Sequence, residues 1–322
     1  MSILNGRATT IYDVARMAGV SKSTASRVLT GDRRVSAEAV EQVSHAAAAL
    51  GYVPNPAALS MSTGKGTRVV IGVVSPTARL VVDDYLARVV ATAAKVCAPE
   101  RIGVGLEALA LDGADPLDVL ARDPTVRGVV LVNTTDSVLR AVDHRLAGRI
   151  VSIGVGSPLI PSVDVDNHTA AREITCRLVE SGRRRIAMVS GPRWLPCVDR
   201  MVQGYGEVMR DAGLQRRVVA GGFKAEDGRT ATASVLRRWP DIDAIFAVCD
   251  DTAMGVLAQL RARHIGVPSD VAVAGFDDTA LAQFAGLTTA THPVETIAEA
   301  ATRAVLRASA ARPPDMYFAS HL

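Results

Sequence analysis

Residues 10–51 read TIYDVARMAGVSKSTASRVLTGDRRVSAEAVEQVSHAAAALG, and the spacing of caps and apolar side chains in this run decides the N-terminal fold. Thr10 is a good N-cap for a helix over 11–18, with Asp13 favouring the positive helix end. Ile11, Val14, Ala15 and Ala18 fall on one stripe at helical spacing. Gly19 stops that helix, because glycine reaches the left-handed conformation without strain. Val20 plugs the turn, and Ser21 caps a second helix running from Lys22 to about Leu29. Its Ala25, Val28 and Leu29 face inward, which leaves Lys22, Ser23, Ser26 and Arg27 outward. After a loop over 31–34, Ser36 caps a third helix with the stripe Val40, Val43, Ala47 and Leu50, ended by Gly51. Three short helices with a glycine-containing turn between the first two form a helix-turn-helix.

That geometry carries chemistry. The second helix offers its N-terminal half to a major groove, where Lys22 and Arg27 would donate to guanine O6 and N7 and Ser23 to several bases. Thr10, Ser21, Thr24, Ser26 and Thr30 are short hydroxyl residues near helix ends, suited to phosphate contacts or to plain capping. For Ser21 both uses are compatible.

The charge supports a polyanionic partner at this end. Over residues 1–68 eight Lys/Arg stand against four acids, whereas the remaining chain holds 28 basic and 29 acidic residues. The whole positive excess of a chain with net charge +3 thus lies in its first fifth, as attraction to phosphate requires. At 322 residues with 48% hydrophobic and 21% charged side chains, the chain has ample material for two globular domains. Arg7, Asp13 and Arg16 interrupt any signal-peptide core, and no apolar run reaches membrane-spanning length, so a cytoplasmic protein with no membrane contact is expected. Cys97, Cys176, Cys197 and Cys249 lie far apart without metal-ligand spacing and read as reduced structural thiols, with no cofactor expected.

Residues 10–64, with the stretches DVARMAGVSKSTASRVL and LGYVPN, closely resemble the headpiece of the lactose-repressor/galactose-repressor family. The resemblance implies a headpiece over 1–62, in which 55–62 form a hinge helix that folds when two subunits sit on a palindromic operator in double-stranded DNA. Asn55 would open that helix and Ala58 would lie where the paired helices approach. Met61 would stand where a side chain wedges into the minor groove or is buried in the hinge. Residues 63–67 (TGKGT) read as the linker to a domain over 68–322.

Beyond the linker, β-branched runs alternate with Ala-rich helical stretches. Strands are expected at 69–74, 128–132, 149–153, 185–189, 244–248 and 271–274, and helices at 85–96, 169–180, 201–212 and 252–264. Apolar strands alternating with helices imply parallel sheets covered on both faces. The runs SVDVDNHTAARE, GRRRIAMVSGP, DAIFAVCDDTAMGVLAQL, VPSDVAVAGFDD and LTTATHP resemble the same family in order and spacing. They imply a periplasmic-binding-protein-like domain of two parallel-sheet subdomains, with crossovers near 163–166 and 287–293 and a third whose place the sequence leaves open.

By the same resemblance, Phe223 stands at a position that stacks on a ligand ring, Asp277 at a carboxylate for ligand hydroxyls, and Asp250 at the acidic residue after a strand. Three positions depart from the pattern: Cys249 replaces a ligand-binding Asn, Met201 replaces an arginine, and Gly154 replaces an Asp in several members. Arg200, next to Met201, and Cys249 itself remain candidate effector contacts, although one residue turns a helical side chain by about 100°. Asp277 and Asp278 also suit a turn, and Trp194 suits either the cleft or packing.

Two functions follow. One is a homodimeric DNA-binding repressor under control of a small, sugar-like effector. The other is a DNA-binding regulator whose degenerate pocket leaves it effector-independent or under a protein partner. Absence of a C-terminal heptad helix favours a dimer over a tetramer. No Gly-x-Gly-x-x-Gly after a strand, Walker loop or nucleophile–base pair supports an enzyme.

Overall fold

The computed structural model describes residues 9–31, 34–55, 66–77, 83–111, 115–307 and 314–322. They fall into two compact units, residues 1–68 with 123–127, and 69–122 with 128–322.

The first unit is the three-helix headpiece: α1 Ile11–Met17, α2 Lys22–Leu29 and α3 Ala37–Ala49. Each start is capped as the sequence dictates. The Thr10 backbone N–H and hydroxyl both donate to the Asp13 carboxylate, at 3.0 and 2.7 Å. Ser21 Oγ accepts from the Thr24 N–H at 3.1 Å, and Ser36 Oγ from the Ala39 N–H at 3.3 Å. Gly19 (φ +66°) makes the turn between α1 and α2. Val14, Ala15, Ala18, Ala25, Val43 and Ala46 form the small core, flanked by Ile11, Val20, Val28, Leu29, Ala47 and Leu50.

One expected core position is corrected. Val40 is 42% exposed, and the buried face of α3 runs instead through Ala39, Val43 and Ala46. Those alanines are small enough for α3 to lie close on its neighbours, which rotates Val40 toward solvent. Asn55 is exposed at the end of the described stretch. Ala58 and Met61, the expected hinge positions, lie outside the described residues.

The second unit holds two sheets. Strands β1 Arg68–Ser75, β2 Gly103–Ala110, β3 Val126–Val132, β4 Ile150–Ile153, β5 Ser162–Val165 and β11 Met316–Phe318 build one, in the order β11-β5-β4-β3-β1-β2. Strands β6 Ile186–Ser190, β7 Val218–Ala220, β8 Ala244–Ala247, β9 Ala272–Asp277 and β10 Thr288–Thr291 build the other, in the order β10-β9-β8-β6-β7. Neighbours pair in parallel from β11 to β3 and throughout the second sheet. Every residue of β4, β6 and β8 is buried, as befits strands covered on both faces. The covering helices are α4 Asp84–Cys97, α5 Asp115–Arg122, α6 Asp136–Arg140, α7 Asn167–Glu180, α8 Pro196–Asp211, α9 Ala225–Arg238, α10 Asp250–Ala262, α11 Ala280–Ala285 and α12 Val294–Arg307.

Two segments read as crossovers begin or end as strands. The chain passes between sheets after β5 and again after β10, where α12 returns to pack on α4. A third passage follows β11: the Thr291 N–H donates to the His321 carbonyl at 2.8 Å, and Ser320 Oγ donates to the Thr291 carbonyl at 2.7 Å. Three short connections join the two subdomains. Tyr205 of α8 is fully buried, and its hydroxyl accepts from the Arg217 N–H at 2.9 Å and donates to the Ile186 carbonyl at 3.0 Å. One phenol thereby ties the start of β6 to the approach to β7.

Candidate functional site

On the headpiece, Lys22, Ser23 and Arg27 are exposed along α2, as the periodicity requires. Lys22 Nζ donates to Tyr12 Oη at 3.0 Å and lies 4.5 Å from the centre of its ring. Tyr12 is 61% exposed and belongs to the same face. It points away from the buried Val14 and Ala15, so apolar spacing along α1 does not single it out. The hydroxyls divide between structure and surface. Thr10 and Ser21 cap helices, Thr30 Oγ1 donates to the Arg27 carbonyl at 3.0 Å, Thr24 bonds Ser21, and Ser26 is half-buried.

In the second unit a cavity of about 150 Å³ lies at the carboxyl ends of strands from both sheets, the usual ligand position in open α/β folds. Phe223, Cys249 and Asp277 line it, as do Met201 and Gly154. Phe223 fits because Gly191 has no side chain: a Cβ there would come within 3.0 Å of the ring and 2.8 Å of Val198 Cγ2. Gly154 has φ +128°, a backbone state in which an aspartate is strained. Asp277 (φ +123°) and Asp278 (φ +53°) form a strained turn. Its second residue is held by its N–H to Thr289 Oγ1 and by Gln283 on its carboxylate, both at 3.2 Å. Asp278 is the turn residue and Asp277 the cleft residue.

Two expected contacts do not line the cavity. Asp250 is 1% exposed and accepts from the Thr279 N–H at 2.8 Å, Thr279 Oγ1 at 3.1 Å and Thr289 Oγ1 at 2.6 Å. Gly275 makes room for it, since a Cβ there would lie 2.3 Å from Asp250 Oδ1. Asp250 therefore braces β9 and β10, and the cleft carboxylate is its neighbour Asp251. Arg200 is paired at 2.5 Å with Asp164, which does line the cavity. Trp194 packs against the core beside it.

Cys249 is no substitute for an amide. Its Sγ lies 3.2 Å from Thr252 Oγ1 and 3.5 Å from the Phe223 carbonyl, and burial pushes its pKa far above the ordinary thiol value. Burial also raises Cys197 to about 12. Both are neutral thiols without nucleophilic character.

His292, in the run LTTATHP, is a cavity residue that no motif in the sequence marks. It lies at the second crossover, stacked on Tyr85 (5.4 Å, 27°) and tilted against Phe276 (5.3 Å, 42°), with Nδ1 3.0 Å from Asp277 Oδ1. Tyr85 comes from α4 and Phe276 from β9, so the imidazole is wedged between the subdomains. Its Nε2 is buried without a hydrogen-bond partner. Only a spatial view pairs a residue after β10 with one at the start of α4. Among the described residues no helix is long and apolar enough to cross a membrane, and no cluster fits a metal ion.

Comparison with known proteins agrees with both units. Residues 10–55 match "Bacterial regulatory proteins, lacI family", and residues 175–317 match "Periplasmic binding protein-like domain". The HTH-type transcriptional regulator CelR of Thermobifida fusca is 33% identical over 310 residues, covering 90% of this chain and 88% of that protein. A solved transcriptional regulator CelR–cellobiose complex superposes with TM-score 0.71 at 30% identity over 97% of this chain and 98% of that one. The lac repressor dimer bound to operator shares the fold with TM-score 0.83 at 21% identity, over 98% of this chain and 97% of that one. The chain belongs to the lacI family of bacterial regulatory proteins, whose members are DNA-binding transcriptional regulators and not enzymes.

Proposed function

We propose that this regulator is a homodimeric repressor that reads an inverted repeat through α2 and releases or holds it according to a sugar-like effector in the cleft. The carrying observation is that Phe223 and Asp277, an aromatic face and a carboxylate, line one cavity between the two subdomains. A ring stacked on Phe223 with hydroxyls donating to Asp277 is the ligand chemistry such a wall accepts. Cellobiose in the CelR complex, a relative at 30% identity, supports a saccharide.

In this reading Lys22, Ser23 and Arg27 read base edges, and Thr10, Ser21, Thr24, Ser26 and Thr30 set the register on phosphates. Asn55, Ala58 and Met61 act at the central minor-groove step. The effector works by differential affinity for two arrangements of the subdomains, since a ligand that binds both equally shifts nothing. Tyr85–His292 and Asp164–Arg200 are the contacts that such a rearrangement must remake.

The test is a thermal-melt screen of the full chain against sugars, sugar phosphates, polyols and nucleosides, followed by operator-binding anisotropy with each hit. A ligand at about 100 times its Kd adds roughly 2.7 kcal/mol, a shift of a few degrees. A hit that also alters operator affinity supports the reading. Silence across the panel, in protein that still binds DNA, favours the effector-independent alternative.

A further inference from the structure

The cleft has an unbalanced wall. Asp83, Asp84, Asp251 and Asp277 all line it, and the cations near them are spoken for. Arg88 is held by both oxygens of Glu295, at 2.7 and 2.8 Å, and Arg200 is held by Asp164. Asp83 gives one oxygen to the Leu86 N–H at 2.8 Å, and Asp277 gives one to His292. The carboxylates of Asp84 and Asp251 form no hydrogen bond or ion pair among the described residues.

His292 stands against one of the four carboxylates. Its Nδ1 lies 3.0 Å from Asp277 Oδ1, and its Nε2 is buried without a hydrogen-bond partner. The four aspartates repel one another as well. The Asp251 carboxyl is pushed up by burial first and then by Asp277, Asp84 and Asp83.

A wall of unpaired acceptors selects for donors and for positive charge. A phosphorylated or carboxylated ligand would meet four like charges, while Arg88 and Arg200 beside them each already pair with a carboxylate. A metal ion is disfavoured because no three of these groups converge to hold one. A neutral saccharide can donate hydroxyls but leaves the negative charge uncompensated. An ammonium carries three donors, no acceptor and the missing charge.

We propose that the effector is a saccharide bearing a protonated amine, its ring on Phe223 and its ammonium among Asp84, Asp251 and Asp277. This inference rests on the effector reading above and narrows it to amino sugars and their oligomers.

Calorimetry on the full chain at pH 7 tests it with D-glucosamine, D-galactosamine and the glucosamine disaccharide, beside the N-acetylated forms, glucose, galactose and cellobiose. The expected result is that an amine form binds at least about tenfold more tightly than its neutral and N-acetylated counterparts. Asp251→Asn should cut that preference by about tenfold, and added salt should erode it. The ratio of affinities is the readout, so a general loss of folding would not imitate it. A neutral parent that binds as well as its amine overturns this inference and leaves the effector reading standing. If no saccharide binds while the protein still binds DNA, both fail.

Discussion

Arg200 of α8 and Asp164 at the end of β5 pair at 2.5 Å although their elements belong to different subdomains. Asp164 is nearly fully buried, also accepts from Asn167 Nδ2 at 3.0 Å, and faces the cleft. The residue that the family resemblance suggests as a displaced ligand contact is thus a tie between the subdomains. Removing one partner of such a pair is costlier than the pair is worth, because it strands a buried charge. Arg200→Met should therefore destabilise the chain by about 3–5 kcal/mol at neutral pH, read by urea unfolding.

The pH dependence of that loss follows from Asp164. Burial raises its carboxyl above the ordinary value, and Arg200 and His292 pull it back. Arg200→Met raises it further. A carboxyl with a raised folded-state pKa contributes stability that is complete below the unfolded pKa and lost as pH rises through the folded one. The deficit of the variant relative to the parent should then shrink from pH 7 toward pH 5. A deficit constant over that range would show that Arg200 acts by packing and not by charge.

Adjacent aspartates should separate cleanly. Asp250→Ala leaves the Thr279 N–H and the Thr289 hydroxyl without their charged acceptor and should cost about 1.5–3 kcal/mol in stability. Asp251→Ala touches an exposed side chain and should stay within about 0.5 kcal/mol. Thermal melts of the two unliganded variants decide this. Equal losses would return Asp250 to the ligand wall.

Close helix contact makes a further prediction. A Cβ at Gly228 of α9 would lie 2.0 Å from the Thr252 carbonyl oxygen of α10, and one at Gly255 of α10 would lie 1.8 Å from the Ala225 carbonyl oxygen of α9. The two glycines let these helices touch backbone to backbone. Gly228→Ala should gain about 1 kcal/mol in helix propensity and lose about 3 kcal/mol or more to overpacking, because the clash is with backbone. A thermal melt at or above that of the parent would mean the helices part without cost.

The headpiece was legible because its determinants are local. Thr10, Ser21 and Ser36 are caps, and Gly19 and Gly51 (φ +66° and +59°) are stops, all within one turn of the helix they bound. Only Val40 was misplaced, since neighbouring helical stripes differ by one residue and packing partners choose between them. Long apolar strands such as β1 and β3 were equally plain. Strands β7 and β11, three residues each, and α9, with arginine, threonine and glycine along it, carry too little periodicity to stand out. The cleft was the least legible part. Tyr85, Asp251 and His292 are far apart in sequence, and only the two crossovers bring the ends of their elements to one cavity.

Arg27 offers the sharpest test of the headpiece. It is exposed on α2 one turn after Ser23, where the proposed docking would bring its guanidinium to a groove edge. Arg27→Ala should remove about 1–3 kcal/mol of discrimination at one base pair in each half-site and leave the weaker, salt-dependent attraction to any duplex. Arg27→Lys should recover part of the affinity but little of the discrimination, because an ammonium lacks the planar fork that matches two acceptors. Anisotropy titrations on operator and scrambled duplexes at two salt concentrations separate these terms. If Arg27→Ala keeps the ratio of operator to scrambled affinity, α2 does not present this residue to the bases, and reading must pass to Lys22 and the neighbouring Tyr12.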